Sequence, residues 1–340
     1  GQVITDEDRQ VNVPSYTGGN KEGLAFVDLD RVDFTKSLVA QSTSTYNTGW
    51  MTGDIKGAFL SDTDNTNLVG GNDADRSINA NPLTVNGTIT RTPVATSADL
   101  VGYSGFSAAN YLEQPYNADL DFGTGDFCVM GWVKTTSTSS QQNIFFRGDE
   151  SASGSYFVLQ TFSGYPRILT FVGDTRTTGA IAAINNGNWY FVCGLRRSGT
   201  LEMFVNGSLS ASLSEGSRDL TNASALARVG RSVSGSANQW GGSASEGSLA
   251  LLRISATAPT AEQIAKIYND EKVLFQENAQ ATLYGSSDSV TALAHDDATD
   301  LLHVGTSAGR SVFQGLRRVS NTTTAVGTAI SAFNGLVVEE

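Results

Sequence analysis

Residues 185–213 read NNGNWYFVCGLRRSGTLEMFVNGSLSASL. The segment Asn188–Arg197 is a β-branched and aromatic run with the length of a strand, and LEMFV and SLSASL form two more around Asn206-Gly207. Both central positions of a type I′ turn need positive φ, so an Asn-Gly pair between two such runs predicts a two-residue hairpin. The same alternation of short apolar runs and Gly, Ser and Asn turns extends on both sides at spacings near ten residues. It predicts strands in NYLEQP, GDFCVMGWVK, NIFFRG, SYFVLQTF, RILTFVG, LARVGR and GSLALLRI. Such a series predicts an all-β sandwich or jelly roll over residues 97–258.

Composition agrees. The 340 residues include 36 Gly but only 6 Pro, and 16% are charged. That balance disfavours helical bundles and suits strands joined by polar turns. The net charge of −12 argues against nucleic acid as a partner, because phosphate binding requires clustered Lys and Arg. No run of some 18 apolar residues occurs, so membrane insertion is not expected. The chain opens at Gly1 without Met, a basic n-region or an apolar h-region, which reads as a trimmed or processed start. Cys128 and Cys193 lie in apolar runs and read as two buried thiols or a single disulfide.

Three further zones flank the sandwich. Residues 1–96 hold the candidate strands GLAFVDLD and GWMTGDIKGAFL, then an Asp, Asn and Gly-rich loop, and read as an N-terminal β-rich attachment segment. Residues 259–282 predict one helix, capped by Thr257 or Thr260, with Ala261, Ile264, Ala265 and Tyr268 at helical spacing. It is expected to pack on the sandwich and then continue as a stalk or connector, with Val273, Leu274 and Phe275 as an apolar knob. Residues 283–340 return to short strands that could pair with GLAFVDLD or with other subunits.

In order, FSAANYLEQPYNADLDFGTGDFCVMGWVK, the 185–213 block, LARVGRS and GSLALLRISATAPTAEQIAKIYNDE resemble the blocks of a laminin-G-like, concanavalin-A-like jelly roll. The expected fold class is therefore all-β: a laminin-G-like sandwich flanked by smaller β-rich segments, with one helix after the sandwich. The segment TLYGSSDSVTALAHDDATDLLHVGTSAGRSVFQGLRRV is similar to parts of bacteriophage tail or fibre proteins. That resemblance implies a virion appendage, a homotrimer with other virion proteins as partners, and a host-surface glycan or receptor as target. The laminin-G-like family often holds calcium in rim loops. Asp119, Asp121, Asp126, Asp149 and Asp174 offer oxygens here, but their spacing matches no known cage, so no cofactor is expected.

Catalytic signals are sparse. No E-x-D-x-x-E string of the β-sandwich glucanases occurs, and the sandwich glutamates Glu113, Glu150, Glu202, Glu215 and Glu246 are isolated. A retaining glycosidase needs two carboxyl groups roughly 5 Å apart. His295 and His303 both lie outside the sandwich, and no nucleophile motif accompanies them. Sugar binding demands less: an exposed ring to stack on and a few polar groups. Trp240 and Tyr165, in the turn-like stretches SANQWGGS and FSGYPR, are the candidate platforms, Trp240 reading also as a loop anchor packed on the core, with Arg147, Asp149 and Arg176 at nearby strand ends. Trp132 and Trp189, mid-strand, are expected in the core. The reading is a non-enzymatic virion protein using the sandwich for host contact. Its alternatives are a secreted bacterial carbohydrate-binding module or glycan-processing enzyme, and a purely architectural decoration.

Overall fold

The computed structural model describes residues 55–77, 79–139, 141–149, 154–232, 240, 247–279, 283, 290–314 and 317–339. The strand expected in GLAFVDLD lies wholly outside these residues, as does the part of GWMTGDIKGAFL before Ile55, Trp50 included.

The strands of the sandwich, in chain order, are β1 (Ile55–Phe59), β2 (Leu68–Val69), β3 (Asn72–Asp73), β4 (Leu83–Asn86), β5 (Thr88–Pro93) and β6 (Val101–Ser104). They continue with β7 (Tyr111–Gln114), β8 (Phe127–Thr135), β9 (Gln142–Gly148), β10 (Tyr156–Phe162), β11 (Tyr165–Val172) and β12 (Asp174–Gly179). The last are β13 (Trp189–Arg197), β14 (Thr200–Val205), β15 (Ser208–Ser214), β16 (Leu226–Val229) and β17 (Gly247–Ser255). A nine-stranded sheet runs β15-β14-β13-β8-β17-β6-β5-β2, with β1 also paired to β17. An eight-stranded sheet runs β12-β11-β10-β9-β16-β7-β4-β3. All these pairings are antiparallel.

Inward residues of both sheets, among them Phe127, Val129, Phe145, Phe157, Ile168 and Leu201, form the main core. Strands β8 and β13 are apolar on both faces, and the reason is a second core on the outside of the nine-stranded sheet. There Cys128, Met130, Trp132, Phe191 and Cys193 meet Ile264, Ile267 and Leu274. A strand covered on both faces loses period-two alternation and reads as a continuous apolar run, as FCVMGWV does.

The cover is α1 (Ala261–Glu271), opened by a capping box between Thr260 and Gln263. The α-helix itself does not run on as a stalk beyond Glu271. Lys272–Phe275 tightens into a 3-10 turn, and the Phe275 ring stacks on Trp132 at 4.1 Å between centroids. The apolar knob is thus the end of the helix folding back onto the sheet.

The Asn206-Gly207 hairpin forms as expected, with φ of 49° and 78°. The boundary expected near residue 96 falls inside the sheets, because β5 pairs with β6 across it and β1 pairs with β17. The physical reason is long-range pairing: local composition around residues 55–93 is polar, yet its apolar positions Phe59, Leu83, Val85 and Ile89 complete the main core.

Residues beyond 290 form a separate four-stranded antiparallel sheet of β18 (Val290–Asp296), β19 (Leu301–Thr306), β20 (Gly309–Gln314) and β21 (Arg317–Thr322). A hairpin of β22 (Ile330–Phe333) and β23 (Leu336–Glu339) packs against β18 and β19.

Candidate functional site

Strands β10 and β11 are joined by Ser163-Gly164, both at positive φ (52° and 85°), the geometry of a tight type I′ hairpin. Neighbouring loops fix its tip. Ser163 N–H donates to the Ser139 carbonyl at 3.1 Å, and Ile184 N–H to the Gly164 carbonyl at 2.8 Å. A Cβ on Gly164 would stand 2.7 Å from Asn185 Cγ, so a larger residue would displace that side chain as well as strain the positive-φ turn.

The turn makes Phe162 and Tyr165 a direct cross-strand pair. They are 41% and 45% exposed, side by side on the outward face of the eight-stranded sheet. The Arg167 guanidinium lies 4.3 Å from the Phe162 ring centroid. Partial burial lowers the Arg167 pKa, but a guanidinium keeps its charge at any physiological pH.

Further along the same face come the pairs Gln160 with Arg167, Val158 with Leu169, and Tyr156 with Phe171. The Tyr156 and Phe171 rings stack at 4.9 Å, and Tyr156 also meets Phe146 at 5.5 Å. Two aromatic ends therefore flank a polar row in which Gln160 and Asn143 are buried. Chemically, the tip offers two adjoining ring faces and a cation, with Ser163 and Asn185 beside them. That set can hold a sugar ring or a planar side chain.

The five residues expected to form one site do not converge. Tyr165 is at the tip as expected. Trp240 is 1% exposed and belongs to the core between the sheets, so its reading as a ligand platform gives way to that of a core anchor. Arg147 is buried too. Its register partner is Phe157, a core residue, so it points between the sheets, pairing with Asp121 at 2.9 Å and donating to the Leu220 and Asn222 carbonyls. Burial lowers its pKa, which the Asp121 carboxylate opposes. Asp149 is half-buried just beyond Arg147, its carboxylate 3.5 Å from the Asn222 amide. Both lie at the far end of β9 and β10, roughly 17 Å along the strands from the tip. Arg176 pairs in register with Thr170 on edge strand β12 and bonds to Asp174 at 3.3 Å.

Sequence reasoning missed Phe162 and Arg167. The signal was present: in F-S-G-Y the two-residue turn makes the flanking aromatics cross-strand neighbours, and Arg167 follows Tyr165 at period two. Period two also placed Arg147 on the inner face with Phe145.

Among the described residues, no three or more His, Cys, Asp and Glu side chains lie together as a metal would require. The aspartates considered for calcium have protein partners: Asp119 accepts from Asn81, Asp126 from Ser198 N–H, and Asp174 from Arg218. The described sandwich glutamates are likewise paired, Glu113 with Arg228, Glu202 with Arg197 and Glu215 with Arg196.

No curated protein sequence matches the chain. Among solved structures, the binding domain of Paraclostridial Mosquitocidal Protein 1 is similar at 11% identity and TM-score 0.51, covering 75% of this chain and 64% of its own. The receptor binding domain of botulinum neurotoxin C/D mosaic serotype gives 12% and 0.50, with 78% and 62% covered. Domain 4 of AbnA, a GH43 extracellular arabinanase from Geobacillus stearothermophilus solved in complex with arabinotriose, gives 18% and 0.49, with 63% and 98% covered. The chain thus spans under two thirds of the first two, and at these identities the likeness is one of fold. Residues 106–265 match a laminin G family model described as the concanavalin A-like lectin/glucanases superfamily, and the sandwich they occupy is a concanavalin-A-like, laminin-G-like domain.

Proposed function

We propose that this chain is a contact protein that engages a host-surface glycan through the Phe162–Tyr165 hairpin tip. The carrying observation is the exposed cross-strand aromatic pair with Arg167 against one ring. Aromatic rings on a surface cost solubility, and a sugar presents the flat C–H face that such rings stack against, with hydroxyls for nearby polar groups. A protein receptor is the other target this surface suits.

The wider reading is a virion appendage, a tail fibre or spike built as a homotrimer with other virion proteins. Its support is the resemblance of residues 282–319 to fibre segments, and the outward face of the last hairpin, where Phe333, Leu336 and Val338 are 73%, 74% and 62% exposed.

Glycan-array binding by the full chain, compared with Phe162→Ala and Tyr165→Ala, tests the contact role. Each variant is expected to bind about tenfold more weakly or worse, in keeping with the loss of a central aromatic. Wild-type binding that both variants retain would place the contact elsewhere, and release of reducing sugar would favour the glycan-processing alternative. Light scattering checks the assembly: a mass three times that of the 35.8 kDa chain is expected.

A further inference from the structure

The chain has two cysteines, and the fold brings them together. In the β8–β13 pairing Cys128 faces Leu195 and Cys193 faces Met130, which sets the two cysteines on one diagonal of the same sheet face. Their sulfurs are 3.4 Å apart, although 65 positions separate them in sequence. Both are fully buried in the core beneath α1, among Met130, Leu195 and Phe204. Two positions taken at random in a chain this long rarely touch, so the contact itself calls for explanation.

We propose that Cys128 and Cys193 close a disulfide that staples β8 to β13 when the chain folds under oxidising conditions. A disulfide needs about 2.05 Å between sulfurs, so the pair must approach by roughly 1.4 Å, through rotation of both side chains and a closer approach of the diagonal positions on β8 and β13. With glutathione disulfide as oxidant, the thiolate of one cysteine attacks the S–S bond, forms a mixed disulfide and expels one glutathione thiolate. The second cysteine, as thiolate, then attacks the protein sulfur of that mixed disulfide and expels the second glutathione. Two protein S–H bonds become one S–S bond, and two glutathiones carry away the protons and electrons.

The timing follows from burial. Desolvation raises the Cys128 pKa, which suppresses the reactive thiolate in the closed protein. The bond therefore forms before α1 docks, or through local opening of the helix.

The test refolds the full chain in a glutathione redox buffer, then denatures it and alkylates it with a maleimide. The expected product has no alkylated thiol and an intact mass about 2 Da below the reduced chain. Its digest contains a Cys128–Cys193 linked peptide that disappears on reduction. Its unfolding midpoint falls when reductant is added, whereas a Cys128→Ser, Cys193→Ala variant is indifferent to reductant. Two alkylated thiols per chain after oxidative refolding, or a disulfide only between chains, would overturn the proposal whether or not the variant folds.

Discussion

The indole Nε1 of Trp132 donates to the Glu271 carboxylate at 2.8 Å, joining two residues 139 positions apart. Trp132 stands on the outward face of the nine-stranded sheet and Glu271 ends α1, so this bond closes the helix onto the sandwich. Arg253 from the adjacent strand β17 meets the other Glu271 oxygen at 2.5 Å. Around this polar knot the Trp132 ring stacks on Tyr268 and Phe275. The buried ion pair and the indole bond at the centre, with aromatic packing at the rim, fix where the helix sits.

Glu271 is 1% exposed, so removing it leaves Arg253 as a buried charge without its carboxylate. Glu271→Ala is expected to cost about 3–5 kcal/mol in urea denaturation. Glu271→Gln keeps an acceptor for Trp132 and should cost less. The double variant Glu271→Leu, Arg253→Met, which removes both charges, should be more stable than either single change. Strict additivity of the two single costs would show that the residues do not act as a pair.

Trp240 and Tyr165 should separate stability from binding. Trp240→Ala empties a large site in the main core and is expected to cost about 3–5 kcal/mol. Tyr165→Ala removes a half-exposed ring and should change stability by only about 0.5 kcal/mol. Equal unfolding midpoints for the two variants would contradict the burial of Trp240 at 1% exposure.

The strands of residues 110–255 were legible because most bury at least one face, leaving apolar runs between turn residues. The helix start was legible in Thr260, one of the two caps that the sequence offered. Strand β12 was not, because DTRTTG lies on a sheet edge with four of its six residues exposed and carries no apolar signal. The place of β1 was equally hidden, since its partner β17 lies nearly two hundred residues away and no local pattern encodes that pairing. Trp240 shows the limit of composition: its Gly and Ser neighbours do not say whether the indole faces solvent or core, and it is 1% exposed. For Arg147, strand-end position suggested exposure, whereas strand parity pointed inward and the Asp121 partner made that burial tolerable.

Gly207 is a sharper test of the helix docking. Its φ is 78°, and a Cβ there would come within 3.0 Å of Ala265 Cα and 3.2 Å of Tyr268 Cβ. Gly207→Ala is therefore expected to strain the turn and push on α1 together, lowering stability by about 1–3 kcal/mol. Asn206→Gly tolerates the same φ but loses the Oδ1 that accepts from Phe191 N–H at 3.0 Å, so a smaller loss is expected. Thermal melts that rank the two variants in the opposite order would mean that the turn and the helix are not in contact.

Asp296 governs the last hairpin through one carboxylate. It accepts from Ala298 N–H at 3.1 Å, Asn334 N–H at 3.0 Å and Gly335 N–H at 2.6 Å, the latter two being the turn residues between β22 and β23. The Gly335 bond is the largest cause holding its pKa below the ordinary aspartate value of 3.8, and the other amides add to it. Because the folded form binds its proton less tightly than the unfolded chain, the stabilisation is complete above that ordinary value. It is lost as pH falls through the depressed one. Hydrogen exchange followed by mass spectrometry should show residues 330–339 deprotected in acid, with strands β8 and β13 as the protected reference. Asp296→Asn should bring the same deprotection to neutral pH, since its amide offers a donor where a turn N–H needs an acceptor. Unchanged protection of the hairpin in that variant would show that packing against β18 and β19, and not the Asp296 carboxylate, holds it in place.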